Sequence, residues 1–92
     1  MKIYKYKIPV TDSGEITIHG TFVKILKVAE QNGDLCMWAL ISDPECGHED
    51  TLTYTIIGTG NEVDARVIAN SFYNETVVMS DGFVWHVFIF NG

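Results

Sequence analysis

The chain has 92 residues, enough for one domain. Its 47% apolar and 20% charged content excludes a disordered tail as a description of the whole. A net charge of −6 repels phosphate backbones and anionic lipid, so neither direct nucleic-acid binding nor membrane binding is expected. Solubility is the ordinary use of such a charge, and a basic protein surface is the partner it leaves open.

Residues 2–8 alternate, with Lys2, Tyr4, Tyr6 and Ile8 set against Ile3, Lys5 and Lys7. They predict a half-buried strand with tyrosines inward and lysines outward. Pro9 and the lysines suit a sheet edge. Asp12-Ser13-Gly14 is turn chemistry. Residues 15–19 put Ile16 and Ile18 on one face. After Gly20, residues 22–29 are strand-like, with Phe22, Leu26 and Val28 on the Lys24 face and Val23, Ile25 and Ala29 on the Lys27 face. Asn32-Gly33 is the strongest hairpin signal, because both residues tolerate positive φ.

Residues 35–41, with Trp38 among them, are apolar on both faces and predict an interior strand. Residues 43–50 hold four acids, Pro44 and Gly47, and predict an exposed loop. In residues 51–56, Leu52, Tyr54 and Ile56 point inward and Thr51, Thr53 and Thr55 outward. Gly58-Thr59-Gly60-Asn61 ends that strand. Residues 62–66 allow one short helical turn, residues 67–73 lean toward strand, and residues 76–79 form a short strand. Ser80-Asp81-Gly82 turns the chain into residues 83–90.

That last run is apolar except for His86. Phe83, Trp85, Val87 and Ile89 point one way, and Val84, His86, Phe88 and Phe90 the other. A central strand covered on both faces is expected. The whole predicts a single all-β, mainly antiparallel domain. It would be a small sandwich or barrel of about seven short strands with at most one short helical turn.

The cysteines, Cys36 in an apolar run and Cys46 in a polar loop, make no staple framework, although one bridge between them stays open. No leader-like or membrane-spanning stretch is visible, so the cytoplasm is the expected compartment. Cys46-Gly47-His48, beside Glu45, Glu49 and Asp50, offers one short ligand pair where zinc needs three or four ligands. A solvated acidic loop is the better reading, and no metal or cofactor is expected.

Gly58-Thr59-Gly60 could form a backbone nest for phosphate or carboxylate. It lacks the lysine of a phosphate-binding loop, and a tight turn is favoured. His86 reads as a hydrogen-bonded side chain on an apolar strand rather than an acid–base group. No nucleophile sits in an elbow-like context, so no catalytic residue is assigned and an enzyme is not expected. The aromatics, Tyr4, Tyr6, Trp38, Tyr54, Tyr73 and Trp85 among them, belong to the core or line a cleft or an interface. The candidate ligand- or partner-binding residues are Gly58, Thr59, Gly60, Asn61, Trp38, Tyr54, Trp85 and His86.

The opening Met1-Lys2-Ile3-Tyr4-Lys5-Tyr6 is followed by Lys24-Ile25-Leu26-Lys27-Val28, Trp38-Ala39-Leu40, Gly58-Thr59-Gly60 and Trp85-His86-Val87-Phe88. In that order these segments resemble a family of short, uncharacterised proteins of tailed bacteriophages and prophages. A His often follows the Gly-Thr-Gly in that pattern; Asn61 stands there in this chain. The resemblance implies an accessory protein of the host bacterial cytoplasm that binds and blocks a host immune factor. Its alternative is a sponge for a nucleotide immune signal, held near residues 58–61 between aromatic rings. A small enzyme is a third and weaker reading. An exposed apolar patch on so small a body would favour a homo-oligomer.

Overall fold

In a computed structural model describing residues 1–91, seven strands and one short helix follow the turn signals along the chain. They are β1 (Lys2–Lys7), β2 (Ser13–His19), β3 (Thr21–Gln31), β4 (Asp34–Ser42), β5 (Glu49–Gly58), α1 (Ala65–Asn70), β6 (Tyr73–Val78) and β7 (Val84–Asn91). All pairings are antiparallel. Strands β1, β4 and β3 form one sheet, in that order, and β2, β5, β7 and β6 form the other. The sheets pack as a sandwich rather than closing into a barrel. Ile25, Val28, Met37 and Ile41 of the first meet Ile18, Leu52, Val87 and Ile89 of the second in one core.

The slab is only 17 Å through its thinnest direction. Two sheets stack about 10 Å apart, so there is room for two layers and no third. Strand β7 is central in the hydrogen-bonding sense, flanked by β5 and β6. The expectation that both its faces are covered needs correction. Val87 and Ile89 are fully buried, whereas His86, Phe88 and Phe90 are half-exposed on the outer face and Phe83 lies largely in solvent. The same holds for β4, whose Trp38 and Leu40 are only half-buried.

Strand β3 departs from strict alternation. Its register against β4 slips between Phe22 and Lys24 and again between Ile25 and Lys27. Each slip leaves two residues opposite one, the mark of a β-bulge. The inward positions are therefore Phe22, Ile25 and Val28, three apart, while Val23 and Leu26 are exposed. The expected grouping of Phe22, Leu26 and Val28 on one face is thus corrected.

Two further boundaries shift. Residues 65–70 are helical because the Asp64 carboxylate caps them, accepting from the Arg66 N–H at 2.8 Å. The strand leaning over residues 67–73 yields to a strand beginning at Tyr73. Glu49 and Asp50 belong to β5 rather than to the acidic loop. The hairpin signal at residues 32–33 is realised with φ of 54° at Asn32 and 85° at Gly33.

The chain crosses between sheets three times, through the residue 43–48 loop from β4 to β5 and at two tight places earlier in the chain. From β1, Ile8 still donates to Leu35 of β4, and Asp12 already accepts from Ile56 of β5. Pro9 sits in this crossing, and its carbonyl accepts from the Tyr54 hydroxyl at 3.0 Å. The second crossing is Gly20 alone, between β2 and β3. Its φ is 117°, and a Cβ there would lie 2.8 Å from the Pro44 backbone, so only glycine fits. Asp50 braces this corner. One carboxylate oxygen accepts from the Phe22 N–H at 2.7 Å and the other meets His48 Nε2 at 2.8 Å. The Phe22 amide, and then His48, hold its carboxyl below the ordinary value.

Gly14 lies opposite Tyr54 in the β2–β5 register, and a Cβ on it would fall 2.6 Å from the phenol oxygen. The missing side chain is what lets the ring cross to Pro9. Gly14→Ala should therefore overpack this spot and cost about 1–3 kcal/mol. Thermal unfolding checks it, at roughly 4–8 °C per kcal/mol for a domain of this size. An unchanged melting temperature contradicts the packing.

Candidate functional site

The candidate residues divide among three places. Tyr54 is 2% exposed and its hydroxyl is spent on Pro9. Burial raises its pKa. It is a core residue and takes no part in a surface site.

Six of the others gather at one end of the four-stranded sheet. Gly58 closes β5, and the chain turns back at once, with the Asn61 N–H donating to the Gly58 carbonyl at 3.1 Å. Gly60, third in this turn, has φ of 92°, which a type II turn requires. Trp85 is the cross-strand neighbour of Gly58 and packs partly against the core. A Cβ on Gly58 would come 3.4 Å from the indole and 3.1 Å from Asn61 Nδ2. Phe83, 59% exposed, stacks on Trp85 with ring centroids 5.4 Å apart and planes 14° from parallel.

Around this pair lies a shallow hollow of about 370 Å³, lined by Gly58, Thr59, Asn61, Phe83, Val84 and Trp85. Another hollow touching Trp85 is flanked by Asp12 and Glu62. Neither is lined by a lysine or arginine. The chemistry on offer is an aromatic face beside backbone edges, suited to a flat ring more than to phosphate.

His86 is held from both sides. Nε2 is hydrogen-bonded to Thr59 Oγ1 at 2.7 Å and Nδ1 to Thr76 Oγ1 at 2.9 Å. A neutral imidazole donates at one nitrogen and accepts at the other, and a hydroxyl serves either role. His86 thus ties the residue 58–61 turn to β6 with both ring nitrogens engaged. Phe83 is the residue that sequence reasoning missed here. Its signal was present: an aromatic directly after the Ser80-Asp81-Gly82 turn stands at a strand's exposed mouth.

Trp38 lies elsewhere, on the outer face of the β1–β4–β3 sheet. The register builds this face in cross-strand rows. Ile3 lies opposite Leu40, which faces the Val23–Lys24 bulge; Lys5 lies opposite Trp38, which faces the Leu26–Lys27 bulge. Lys7, Cys36 and Ala29 form the next row. Ile3 is 60% exposed, and Val23 and Leu26 are each more than two-fifths exposed. Ile3, Val23, Leu26, Trp38 and Leu40 together make an apolar strip, with Lys5, Lys7 and Lys24 among them.

In the acidic loop, His48 is engaged with Asp50, and both cysteines are free thiols, Cys36 buried and Cys46 exposed. Among the described residues, no three His, Cys, Asp or Glu side chains gather closely enough to hold a metal ion. No helix among them is long and apolar enough to cross a membrane.

A family model described as a domain of unknown function, DUF7352, matches residues 1–91. No curated protein and no solved structure matches the chain.

If His86 fastens the turn, Thr59→Val should leave Nε2 without its partner and cost about 0.5–1.5 kcal/mol. Hydrogen exchange at the Asn61 amide should quicken several-fold while the β4 amides keep their protection. Equal exchange in both proteins contradicts the fastening role.

Proposed function

We propose a non-catalytic binding role for this chain, which belongs to the DUF7352 family of domains of unknown function. It is a phage-type accessory protein that occupies and blocks a host immune factor in the bacterial cytoplasm. The surface that does so is the outer face of the β1–β4–β3 sheet. One observation carries the reading: Ile3, Val23 and Leu26 stay in solvent beside half-buried Trp38 and Leu40. Large apolar side chains gathered outside a core mark a place where another surface is to be covered. A tryptophan near the centre of such a patch is the usual energetic anchor of an interface. The setting rests on the motif resemblance to short phage proteins.

A second reading is favoured by the stacked Phe83–Trp85 pair at the residue 58–61 turn. A nucleobase laid on Phe83 would make the chain a nucleotide sponge, held by stacking and backbone donors. It would hold the base more firmly than the phosphate, since no cation lines the hollow.

The test is affinity capture from phage-infected bacteria, followed by reconstitution of the complex from purified components. Trp38→Ala and Leu26→Glu should each raise the dissociation constant at least tenfold, roughly the weight of an interface hot spot. Phe83→Ala should leave it unchanged. A complex indifferent to both substitutions removes this face as the site. Melting-point shifts with cyclic nucleotides that vanish in Phe83→Ala would favour the sponge.

A further inference from the structure

Resting on that binding role, we infer that the β1–β4–β3 face takes an acidic protein segment bearing apolar side chains. The overall charge of −6 suggests a basic partner, but charge is not spread evenly over the molecule. All five lysines, Lys2, Lys5, Lys7, Lys24 and Lys27, lie in β1 and β3. The sixth cation, Arg66, is in α1, tied to Asp64. Of the 12 acids only Glu30 and Asp34 lie in these three strands. Lys5, Lys7, Lys24 and Lys27 share register rows with Cys36, Trp38 and Leu40, whereas Lys2 lies opposite the inward Ile41, so four of the five make the outer face the basic side of an acidic protein.

Its cations are also poorly neutralised. Lys7 pairs with Asp34 at 3.3 Å, and Lys27 reaches across to Glu75 of β6 at 3.3 Å. Lys5 donates to Gln31, a neutral amide, at 2.8 Å. Lys24 makes no ion pair or side-chain hydrogen bond among the described residues. Lys5 and Lys24 flank the Trp38–Leu40 stretch on its two sides, through the β1 and β3 registers. An apolar strip held between two unneutralised ammonium groups is complementary to an apolar stripe with carboxylates along its margins.

The competing occupants fit less well. A second copy docked face to face would bring the lysines of one protomer toward those of the other, whether Lys5 met Lys5 or Lys24. Single-stranded nucleic acid wants a series of aromatic platforms. This face has Trp38 alone among aliphatic Ile3, Val23, Leu26 and Leu40. Three strands spaced about 4.8 Å apart make a face about 14 Å wide. That width accommodates one helix, roughly 10–12 Å across, or an extended segment, more readily than a whole domain.

The experiment pans a random 12-residue peptide library on the purified full chain. Enriched peptides should carry Asp or Glu together with Leu, Ile or aromatic residues. The best of them should bind at least tenfold more weakly to a Lys5→Glu/Lys24→Glu variant that keeps the wild-type circular dichroism spectrum. Glu15→Lys, on the other sheet, should bind it as the wild type does. Affinity should also fall as salt rises from about 50 to 300 mM, as an attraction between exposed charges must.

Enriched peptides rich in Lys or Arg would overturn the partner's chemistry and leave the binding role standing. Tighter binding of a dT12 oligonucleotide than of any peptide would replace the protein segment with nucleic acid. A dimer in sedimentation that Leu26→Glu dissociates would give the face to a second copy. No enrichment, combined with no partner captured from infected cells, would remove the binding role itself.

Discussion

Two layers make one interior. The chain spends its apolar residues on the single gap between two sheets, and a slab 17 Å thick offers no other. Each buried Ile, Leu or Val in that gap contributes about 1.5–3 kcal/mol, and buried side chains from β2, β3, β4, β5, β6 and β7 share it. No polar or charged side chain is buried among the described residues. Every apolar residue in excess of what the gap holds must face outward, and that surplus is where this molecule becomes adhesive.

The surplus is not placed at random. On the four-stranded sheet the outer face mixes Thr53 and Thr55 of β5 with Phe88 and Phe90 of β7 through their shared register, so methyls and hydroxyls interrupt the rings. On the three-stranded sheet the two bulges in β3 push Val23 and Leu26 out beside Lys24 and Lys27, so that lysines rather than hydroxyls stand among the apolar side chains. A bulge is how a strand changes which side chain it shows without changing its neighbours. Here it turns two aliphatic residues from core material into surface. The crossings at Pro9 and Gly20 and the Asp50 brace fix the sheets against one another, so that this surface is presented on a firm base.

Much of this was legible in the chain. The alternation in residues 51–56 and the positive-φ pair Asn32-Gly33 report local rules, and local rules survive folding. The count of about seven mainly antiparallel strands followed from regularly spaced turns too short for crossover helices, whereas the strand order and the choice of sandwich over barrel did not. What escaped was information held in pairing. The bulges convert a period of two into a period of three across Phe22, Ile25 and Val28, and only β4 opposite reveals them. The short helix had its sign in Asp64, but six residues without a buried face carry too little periodicity to outweigh Val67 and Ile68. For the same reason Trp38 and Trp85 looked alike. Each sits in a strand apolar on both sides, and only the number of layers decides which ring remains in reach of a partner. Phe83 was read as part of a covered strand because its stacking on Trp85 depends on where the Gly82 turn delivers it.

Side-chain footprinting of the free monomer by photogenerated carbene tests the two-layer arrangement most directly. Open outer faces predict heavy labelling at Ile3, Val23 and Leu26, moderate labelling at Trp38, and almost none at Met37, Ile41, Leu52 and Ile89. Protection of Ile3 and Leu26 to the level of Met37 would mean that this face is already covered in the protein alone, and the proposed docking surface would not exist.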